Sequence, residues 1–281
     1  MKETSTISHI KGLSDTQIQL SVLVIFLLGL CLRLVSLASI PFSAGEAQAA
    51  WQALLVARDL PSETAVNAAY QGLTASTFAL MQANAFWARF WPAMAGASLA
   101  LIPLFWRRRL SPFLTLGIAF ALALDPILFI LSRQAGNAIF VLAGLVWALS
   151  FFIAGKPVGV GVALAVALLG GPWAWAVLLL LLIALGIAYL INKAALNEFA
   201  SSLLNVCPLR KSPAKFALSF VLTLLLLATS FGLDPAGISG IAGGLSAFLQ
   251  EGFLNSQFPA WASIYRWAAY SICPLILSVV A

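Results

Sequence analysis

The chain contains a single histidine, His9, and only 9% of its 281 residues are charged. One histidine, placed in a polar N-terminal tail, excludes a site built from several histidines and a Ser-His-Asp triad. The three cysteines, Cys31, Cys207 and Cys273, lie far apart, so their spacing indicates neither a disulfide framework nor a metal site. We therefore expect no metal and no cofactor.

The scarcity of charge also excludes an ordinary soluble globule, because a soluble domain carries roughly a quarter charged residues. Hydrophobic residues make up 62% of the chain and the mean hydropathy is +1.01. The apolar runs are long and rich in Leu and Ala, which favours helices over the alternating strands of a barrel. The sequence predicts an all-α fold, a polytopic bundle of membrane helices. The net charge of +6 is assigned to membrane topology and not to nucleic acid.

The hydropathy pattern predicts about eight membrane spans and one weaker segment at 66–83, a short helix dipping into the outer leaflet. The predicted spans are 20–38, 85–105, 113–131, 136–154, 157–170, 173–192, 216–232 and 264–281. Residues 1–19 form the predicted cytoplasmic tail, and residues 20–281 form a single transmembrane domain. Because the chain ends within an apolar run, we expect a truncated or shortened relative of a longer protein.

The distribution of basic residues predicts a cell-membrane protein whose N-terminus lies in the cytoplasm. Ten of the 15 Lys and Arg residues then fall on the cytoplasmic side: Lys2, Lys11, Arg107, Arg108, Arg109, Lys156, Lys193, Arg210, Lys211 and Lys215. Residues 39–84 form the first outer loop, with surface helices, and 233–263 form another outer loop. The 193–215 segment is cytoplasmic, with an amphipathic helix at 194–206. The Asp234–Pro235 pair predicts the start of a helix at the outer interface.

The stretch Phe42-Ser43-Ala44-Gly45-Glu46 offers the main candidate site. Ser43 and Glu46 have the S-x-x-E spacing of a capping box, so Glu46 could simply close the N-terminus of an amphipathic surface helix. Alternatively, a carboxylate at the outer membrane surface could act as a general base toward a hydroxyl or amine acceptor. The sequence leaves both roles open.

Arginines near the outer ends of the spans are the candidate phosphate ligands. Arg89 and Arg133 hold comparable positions, and Arg33 lies in the last turns of the first span. Guanidinium groups bind phosphate in bidentate fashion, but an interfacial arginine also reaches lipid headgroups without any site. Asp125 lies within a span, where an ionisable group either pairs with an arginine such as Arg33 or Arg133 or takes part in chemistry.

Three segments, in order, carry a resemblance to a known family. "FSAGEAQAA" is similar to a first-loop pattern that reads roughly F-x-D-E-A-x-Y-A, "WARFWPAMAG" is of the type a-R-l-p-s-a-l-a-G, and "ALALDPILFILSRQAGN" is of the type A-l-x-P-x-x-l-x-x-S-R-x-a-R-x-D. The chain resembles the GT-C type of membrane glycosyltransferases, the dolichyl-phosphate-mannose protein mannosyltransferase and aminoarabinose transferase superfamily. The resemblance covers most of residues 20–281.

The resemblance implies a GT-C-like fold in which outer-loop helices cap a cavity at the membrane edge. It implies sugar transfer from a polyprenyl-phosphate-linked donor, with Glu46 as catalytic base and Arg89 and Arg133 as donor-phosphate ligands. Asp125 and Arg33 are possible accessory residues. Two positions depart from the pattern, because Gly45 replaces the aspartate usually assigned as base and Asn137 replaces a motif aspartate. The family's C-terminal acceptor domain is also expected to be missing.

Two functions therefore stay open at the sequence level. The chain is a membrane glycosyltransferase-like protein that uses a polyprenyl-phosphate-linked sugar on the outer face, or a catalytically inactive relative that serves as a structural or partner-binding subunit of a membrane complex. A transporter is disfavoured because we find neither paired broken helices nor an inverted repeat. The expected partners are the lipid-linked donor, membrane lipids and, for the second function, another membrane protein; nucleic acid is not expected.

Overall fold

The computed structural model describes residues 14–62, 67–107, 109–193 and 212–250. Across these residues the chain is helical and contains no strand, which confirms the all-α prediction. The α-helices are α1 (Asp15–Leu34), α2 (Ala44–Ala57), α3 (Ala68–Leu80), α4 (Ala85–Ser98), α5 (Pro103–Trp106), α6 (Pro112–Leu124), α7 (Pro126–Ser132), α8 (Ala138–Ile153), α9 (Pro157–Leu168), α10 (Pro172–Ile191), α11 (Pro213–Ala228) and α12 (Gly240–Leu249).

Three helical stretches in the described part of the chain are long and apolar enough to cross a membrane: Asp15–Leu34, Ala85–Trp106 and Pro172–Ile191. The second of these is α4 joined to α5 through a short 3-10 turn. A fourth candidate is the bent pair of α6 and α7, if the two are counted as one span. By length and composition the structure thus supports three or four spans, fewer than the eight predicted from hydropathy.

Three more predicted spans coincide with apolar helices that have fewer than the 18 residues needed to cross a membrane. These are α8 and α11, each 16 residues long, and α9, with 12 residues. The predicted span 264–281 and the predicted amphipathic helix 194–206 lie outside the described residues. The weaker segment 66–83 contains α3, which is largely buried against other helices.

The break between α6 and α7 bends the chain by 49° at Asp125 and Pro126. Proline has no backbone N–H to donate and its ring prevents the preceding helix from continuing. The Asp125 carboxylate then accepts a hydrogen bond of 2.8 Å from the Leu128 N–H and caps the new helix. The local sequence therefore explains why a predicted straight span is broken here.

Small residues allow the helices to pack closely. A Cβ atom at Gly72 of α3 would collide with the carbonyl oxygen of Leu227 on α11. A Cβ at Gly144 of α8 would lie 2.7 Å from the Ala163 carbonyl oxygen and 2.8 Å from the Ala167 nitrogen on α9. Such close approach of backbones is typical of helices that associate in a membrane, where apolar surface alone gives little preference for a neighbour.

The surface of the helices is apolar over long stretches. In α10 the leucines and isoleucines from Val177 to Ile191 are exposed, and Ala174 is the buried residue of that helix. A Leu-rich helix of 20 residues that is exposed along most of its length matches the thickness of a hydrocarbon core. These observations define a helical membrane protein.

The predicted helix start at Asp234–Pro235 takes a different form. Residues Pro235–Ser239 are a 3-10 helix, and the α-helix begins only at Gly240. A 3-10 turn is a common entry to an α-helix, so the predicted element is present with a tighter first turn.

Candidate functional site

Glu46 lies in the first turn of α2, where it completes the predicted capping box. The Ser43 hydroxyl accepts a hydrogen bond of 3.3 Å from the Glu46 N–H, and Glu46 Oε2 accepts one of 3.0 Å from the Ser43 N–H. Two N–H groups that have no partner within the helix are satisfied in this way. The capping prediction is therefore confirmed.

The same carboxylate forms an ion pair with Arg89 of α4. Arg89 Nε donates to Glu46 Oε1 at 2.9 Å, and Arg89 Nη2 donates to Oε2 at 3.2 Å. The two side chains are 1% and 11% exposed. The pair is bidentate and largely shielded from solvent, the geometry in which a guanidinium and a carboxylate interact most strongly.

The other N–H groups of Arg89 are bound to backbone carbonyls between α1 and α2. Nη1 donates to Leu37 at 2.9 Å and to Ile40 at 2.7 Å, and Nη2 donates to Pro41 at 3.2 Å. A guanidinium has five N–H donors, and each one here has an acceptor. Arg89 thus fastens the turn that leads from α1 into α2, and in this arrangement it has no free N–H for a phosphate.

A third element reaches Glu46 through the backbone. The Ala135 N–H, two residues after Arg133, donates to Glu46 Oε1 at 2.8 Å. The carboxylate therefore has four donors: two from Arg89 and one each from Ser43 and Ala135. We call this set the Glu46–Arg89 junction, because it joins α2, α4 and the turn between α7 and α8.

The hydrogen bonds at the junction change the acidity of Glu46. Burial by itself would raise the pKa of the carboxyl, but the hydrogen bonds from Arg89, Ser43 and Ala135, together with the charge of Arg89, outweigh it. The pKa of Glu46 consequently lies below its ordinary value. A lowered pKa makes the carboxylate a weaker proton acceptor.

Arg33 lies at the bend between α6 and α7 and is completely buried. Nε donates to the Ser132 hydroxyl at 2.9 Å, and Nη1 donates to the carbonyls of Gly29 and Ala123 at 3.0 and 2.8 Å. Nη2 has no hydrogen-bond partner among the described residues. Burying a guanidinium nitrogen without a partner is costly, so this atom is an unsatisfied donor in the described structure.

Arg133 is partly exposed and weakly held. Its hydrogen bonds to the carbonyls of Leu32 and Ser36 are long, at 3.5 and 3.3 Å. Its guanidinium lies 5.2 Å from the centroid of the Phe129 ring, and that of Arg33 lies 5.6 Å from the same centroid. Arg33 and Arg133 are thus brought together at one aromatic ring, whereas Arg89 belongs to the Glu46–Arg89 junction.

Asp125, the remaining candidate, forms no ion pair with an arginine in the part of the chain that the structure describes. Its hydrogen bond is the cap on α7. Its charge acts on Arg33 without a direct ion pair, so the predicted pairing with Arg33 is present only as this longer-range attraction, and no contact with Arg133 is observed among the described residues. The physical reason is local, since the carboxylate satisfies the first turn of a helix that Pro126 forces to begin at this point.

The side chain of Asn137 forms hydrogen bonds that require an amide. Its Nδ2 donates to Asn67 Oδ1 and to the Gly170 carbonyl oxygen, both at 2.6 Å. A carboxylate at this position would have no hydrogen to donate and would face two acceptor oxygens. This link ties the start of α8 to the segments before α3 and α10.

Sequence reasoning missed the partners that complete these contacts. Ser132 and the Ala135 N–H bind the charged groups, and the remaining acceptors are backbone carbonyls. Backbone groups carry no signal in the residue types, so no motif could reveal them. In the sequence, Ser132 is marked only by its position before Arg133, and nothing there indicates that it binds Arg33. Within the described ranges no group of three or more His, Cys, Asp and Glu residues could hold a metal ion.

Comparison with known proteins adds no relative. No family model, curated protein or solved structure matches this chain. The class of the protein is therefore defined by its own features: an all-α fold, three or four helices among the described residues that are able to cross a membrane, and a largely buried ion pair between α2 and α4.

Proposed function

We propose that this chain is a catalytically silent relative of GT-C membrane glycosyltransferases, a structural subunit that still binds the phosphate of a polyprenyl-phosphate-linked sugar. The observation that carries the proposal is the engagement of Glu46 by four donors at 2.8–3.2 Å. In the proposal the chain lies in the cell membrane with its N-terminus in the cytoplasm, has about eight spans, and works beside a partner membrane protein.

The engagement of Glu46 argues against its use as a general base. A base needs a lone pair within reach of the acceptor's proton and a pKa near the working pH. Each of the two carboxylate oxygens of Glu46 already accepts two hydrogen bonds. The pKa of Glu46 is also lowered. Freeing it would leave the buried Arg89 uncompensated, which costs about 3–5 kcal/mol.

The two departures from the family pattern agree with a silent role. A Cβ atom at Gly45 would have open space around it, so packing does not explain the loss of an aspartate there. At Asn137 the amide donates two hydrogen bonds that an aspartate could not make. Both acids of the pattern are absent, and one of the replacements has a structural use of its own.

Arg133 is the best remaining ligand for a donor phosphate, and Arg33 is the second candidate. Arg133 is partly exposed and its two hydrogen bonds are the longest of the three outer arginines. Arg33 presents one buried nitrogen without a partner. A phosphate near Phe129 would supply the acceptor that this nitrogen lacks. Arg89, by contrast, would act by holding the junction together.

The test is a binding and turnover assay on the full-length protein in nanodiscs, with a panel of polyprenyl-phosphate sugars. We expect the wild type to bind polyprenyl phosphate without releasing sugar. Arg133→Gln should weaken binding about tenfold or more, because a hydrogen bond to a charged group is lost. Arg58→Gln removes an exposed arginine at the end of α2 and serves as the matched control, with unchanged binding.

The same assay separates the alternatives. Sugar release by the wild type that disappears in a folded Glu46→Gln variant would contradict the silent role and favour the transferase. Gly45→Asp restores the acid of the family pattern, and activity gained by this variant alone would support descent from an enzyme. If no polyprenyl phosphate binds, the phosphate part of the proposal is wrong and a purely structural subunit is left.

A further inference from the structure

A cleft rich in positive charge lies at the opposite end of the bundle from the Glu46–Arg89 junction. It has a volume of about 560 Å³ and its charged lining consists of Arg107, Arg109 and Lys156. The cleft is near the start of α1, because Arg107 Nη2 lies 3.8 Å from the carboxylate of Asp15. Since α1 has 20 residues, about 30 Å of helix separates the cleft from the junction.

A tight turn fixes the two arginines of the cleft. The carbonyl of Trp106, the last residue of α5, accepts hydrogen bonds from the N–H groups of Arg109 at 2.8 Å and of Leu110 at 3.2 Å. The chain thus reverses between α5 and Ser111, which caps α6. The arginines are presented from this turn and not from a long loop.

A second turn fixes Lys156 on the facing side. Gly155 follows α8 with φ of +70°, a left-handed conformation that glycine adopts without strain. The Gly155 N–H donates to Phe152 and the Lys156 N–H donates to Phe151, at 3.0 and 2.9 Å. This is the Schellman ending of a helix, and it places Lys156 at the rim of the cleft.

The positive charge of the cleft is incompletely neutralised. Arg107 has an acidic neighbour in Asp15 and faces the side-chain amide of Gln19. Arg109 and Lys156 form no ion pair with any residue that the structure describes, and both are exposed. The three cations and the one nearby carboxylate leave an excess of about two positive charges, which attracts an anion of similar charge.

The floor of the cleft is aromatic and rigid. Lys156 Nζ lies 4.9 Å from the centroid of the Phe105 ring. Phe105 in turn packs edge-on against Trp147 and Phe151, at 5.3 and 5.2 Å between centroids. The cleft therefore offers cations at its mouth and apolar surface beneath them, a combination that suits an amphiphilic ligand.

Exposed apolar residues follow the two turns that carry the cations of the cleft. Phe113, four residues after Arg109, is 87% exposed, and Val158, two residues after Lys156, is also exposed. Both belong to apolar helices that begin at the cleft. An anion that enters from the bilayer surface would keep its chains beside these residues, whereas a free phosphate ion would gain nothing from them.

We propose that this cleft binds the phosphate of an anionic membrane lipid. Arg109 and Lys156 are the principal ligands, Arg107 supports them, and the acyl chains lie along the exposed starts of α6 and α9. Basic pockets between membrane helices bind acidic headgroups through this combination of charge and apolar contact. The site is remote from Glu46 and does not depend on the function proposed for the junction.

The test measures lipid binding to the full-length protein in neutral detergent by native mass spectrometry. The probes are phosphatidic acid, phosphatidylcholine with the same chains, and inorganic phosphate. We expect retention of phosphatidic acid, and a loss of about 30-fold in affinity when Arg109→Gln and Lys156→Gln are combined. The matched control combines Lys193→Gln and Lys215→Gln, which removes the same charge from exposed residues outside the cleft.

Three results would overturn the proposal. The first is equal retention of phosphatidylcholine and phosphatidic acid by the wild type, which would show that the cleft does not recognise the charge of the headgroup. Competition by inorganic phosphate at concentrations similar to those of the lipid would assign the cleft to a free anion. An equal loss in the control pair would indicate general attraction to a basic surface. Retained affinity in the control together with the 30-fold loss in the cleft variant supports the proposal.

Discussion

Glu46 is held by four donors, and this arrangement determines how its carboxylate affects stability as the pH changes. The folded protein keeps the carboxylate ionised because protonation would break the pair with Arg89 and the bonds from Ser43 and Ala135. At the scale of single residues, Arg89 and Glu46 therefore act together as one structural unit that satisfies the backbone between α1 and α2.

The lowered pKa of Glu46 predicts a loss of stability in acid. Because the pKa in the folded state lies below its ordinary value of 4.5, the stabilisation is complete above that value and is lost as the pH falls through the folded pKa. We expect the unfolding temperature of the wild type in detergent to fall more steeply below about pH 4.5 than that of Glu46→Gln. Parallel curves for the two proteins would show that Glu46 carries no such linkage.

Residue-level expectations from the sequence were partly confirmed. The S-x-x-E spacing predicted the capping box, since capping depends on local spacing alone. The pairing of Glu46 with Arg89 joins residues 43 positions apart, and its other partners are backbone groups. A sequence does not show which backbone group lies next to which side chain. The contacts that distinguish a catalytic Glu46 from a structural one could therefore not be predicted.

Among the helices, close packing depends on glycines at particular contacts. Gly144 of α8 lies against the backbone of α9, whereas a Cβ atom at Gly117 of α6 would meet nothing within 4 Å. The two glycines have the same residue type within apolar helices and differ in what surrounds them. Hydropathy predicted these helices but could not distinguish the two positions, because the neighbour comes from another element.

This difference predicts opposite effects of the same substitution. Gly144→Ala should lower the free energy of unfolding by about 1–3 kcal/mol, since its Cβ would lie under 3 Å from backbone atoms of α9. Gly117→Ala should be neutral or raise it by up to about 1 kcal/mol, through helix propensity. Unfolding in SDS titrations measures both, and an equal cost at the two positions would contradict the packing described here.

Helix boundaries were predicted well where proline or a capping residue marks them. Pro112, Pro157 and Pro172 each begin a helix close to a predicted span. The bend at Asp125 was not predicted as a break, although Pro126 was a visible cause. The sequence predicted an arginine partner or a chemical role for Asp125 because an ionisable group within a span needs a partner, and the Leu128 N–H meets part of that need.

At the scale of the whole molecule, the two ends of the bundle differ in chemistry. One end holds the Glu46–Arg89 junction and the arginines at Phe129, and the other holds the basic cleft. Composition predicted a helical membrane protein correctly. Among the described residues three or four helices are long enough to cross a membrane, because α8, α9 and α11 are apolar but shorter than a full span.

The orientation predicted from the basic residues places the N-terminal end of α1 in the cytoplasm. In a background with Cys31, Cys207 and Cys273 replaced by serine, Ser39→Cys should react with an impermeant maleimide added to intact cells. Ser14→Cys should react only after the membrane is opened, since it lies at the other end of a spanning helix. The reverse pattern would invert the topology and place the basic cleft on the outer face.

The central claim is that Glu46 and Arg89 form one structural unit, and a double-mutant cycle on unfolding free energy tests it most directly. Glu46→Gln and Arg89→Gln should each cost about 3–5 kcal/mol, because each leaves a buried charge without its partner. The double variant should cost about 2–3 kcal/mol less than the sum of the two single costs, and this difference is the coupling between the two side chains. Costs that add to within about 0.5 kcal/mol would contradict the account, because they would show that the two side chains act independently.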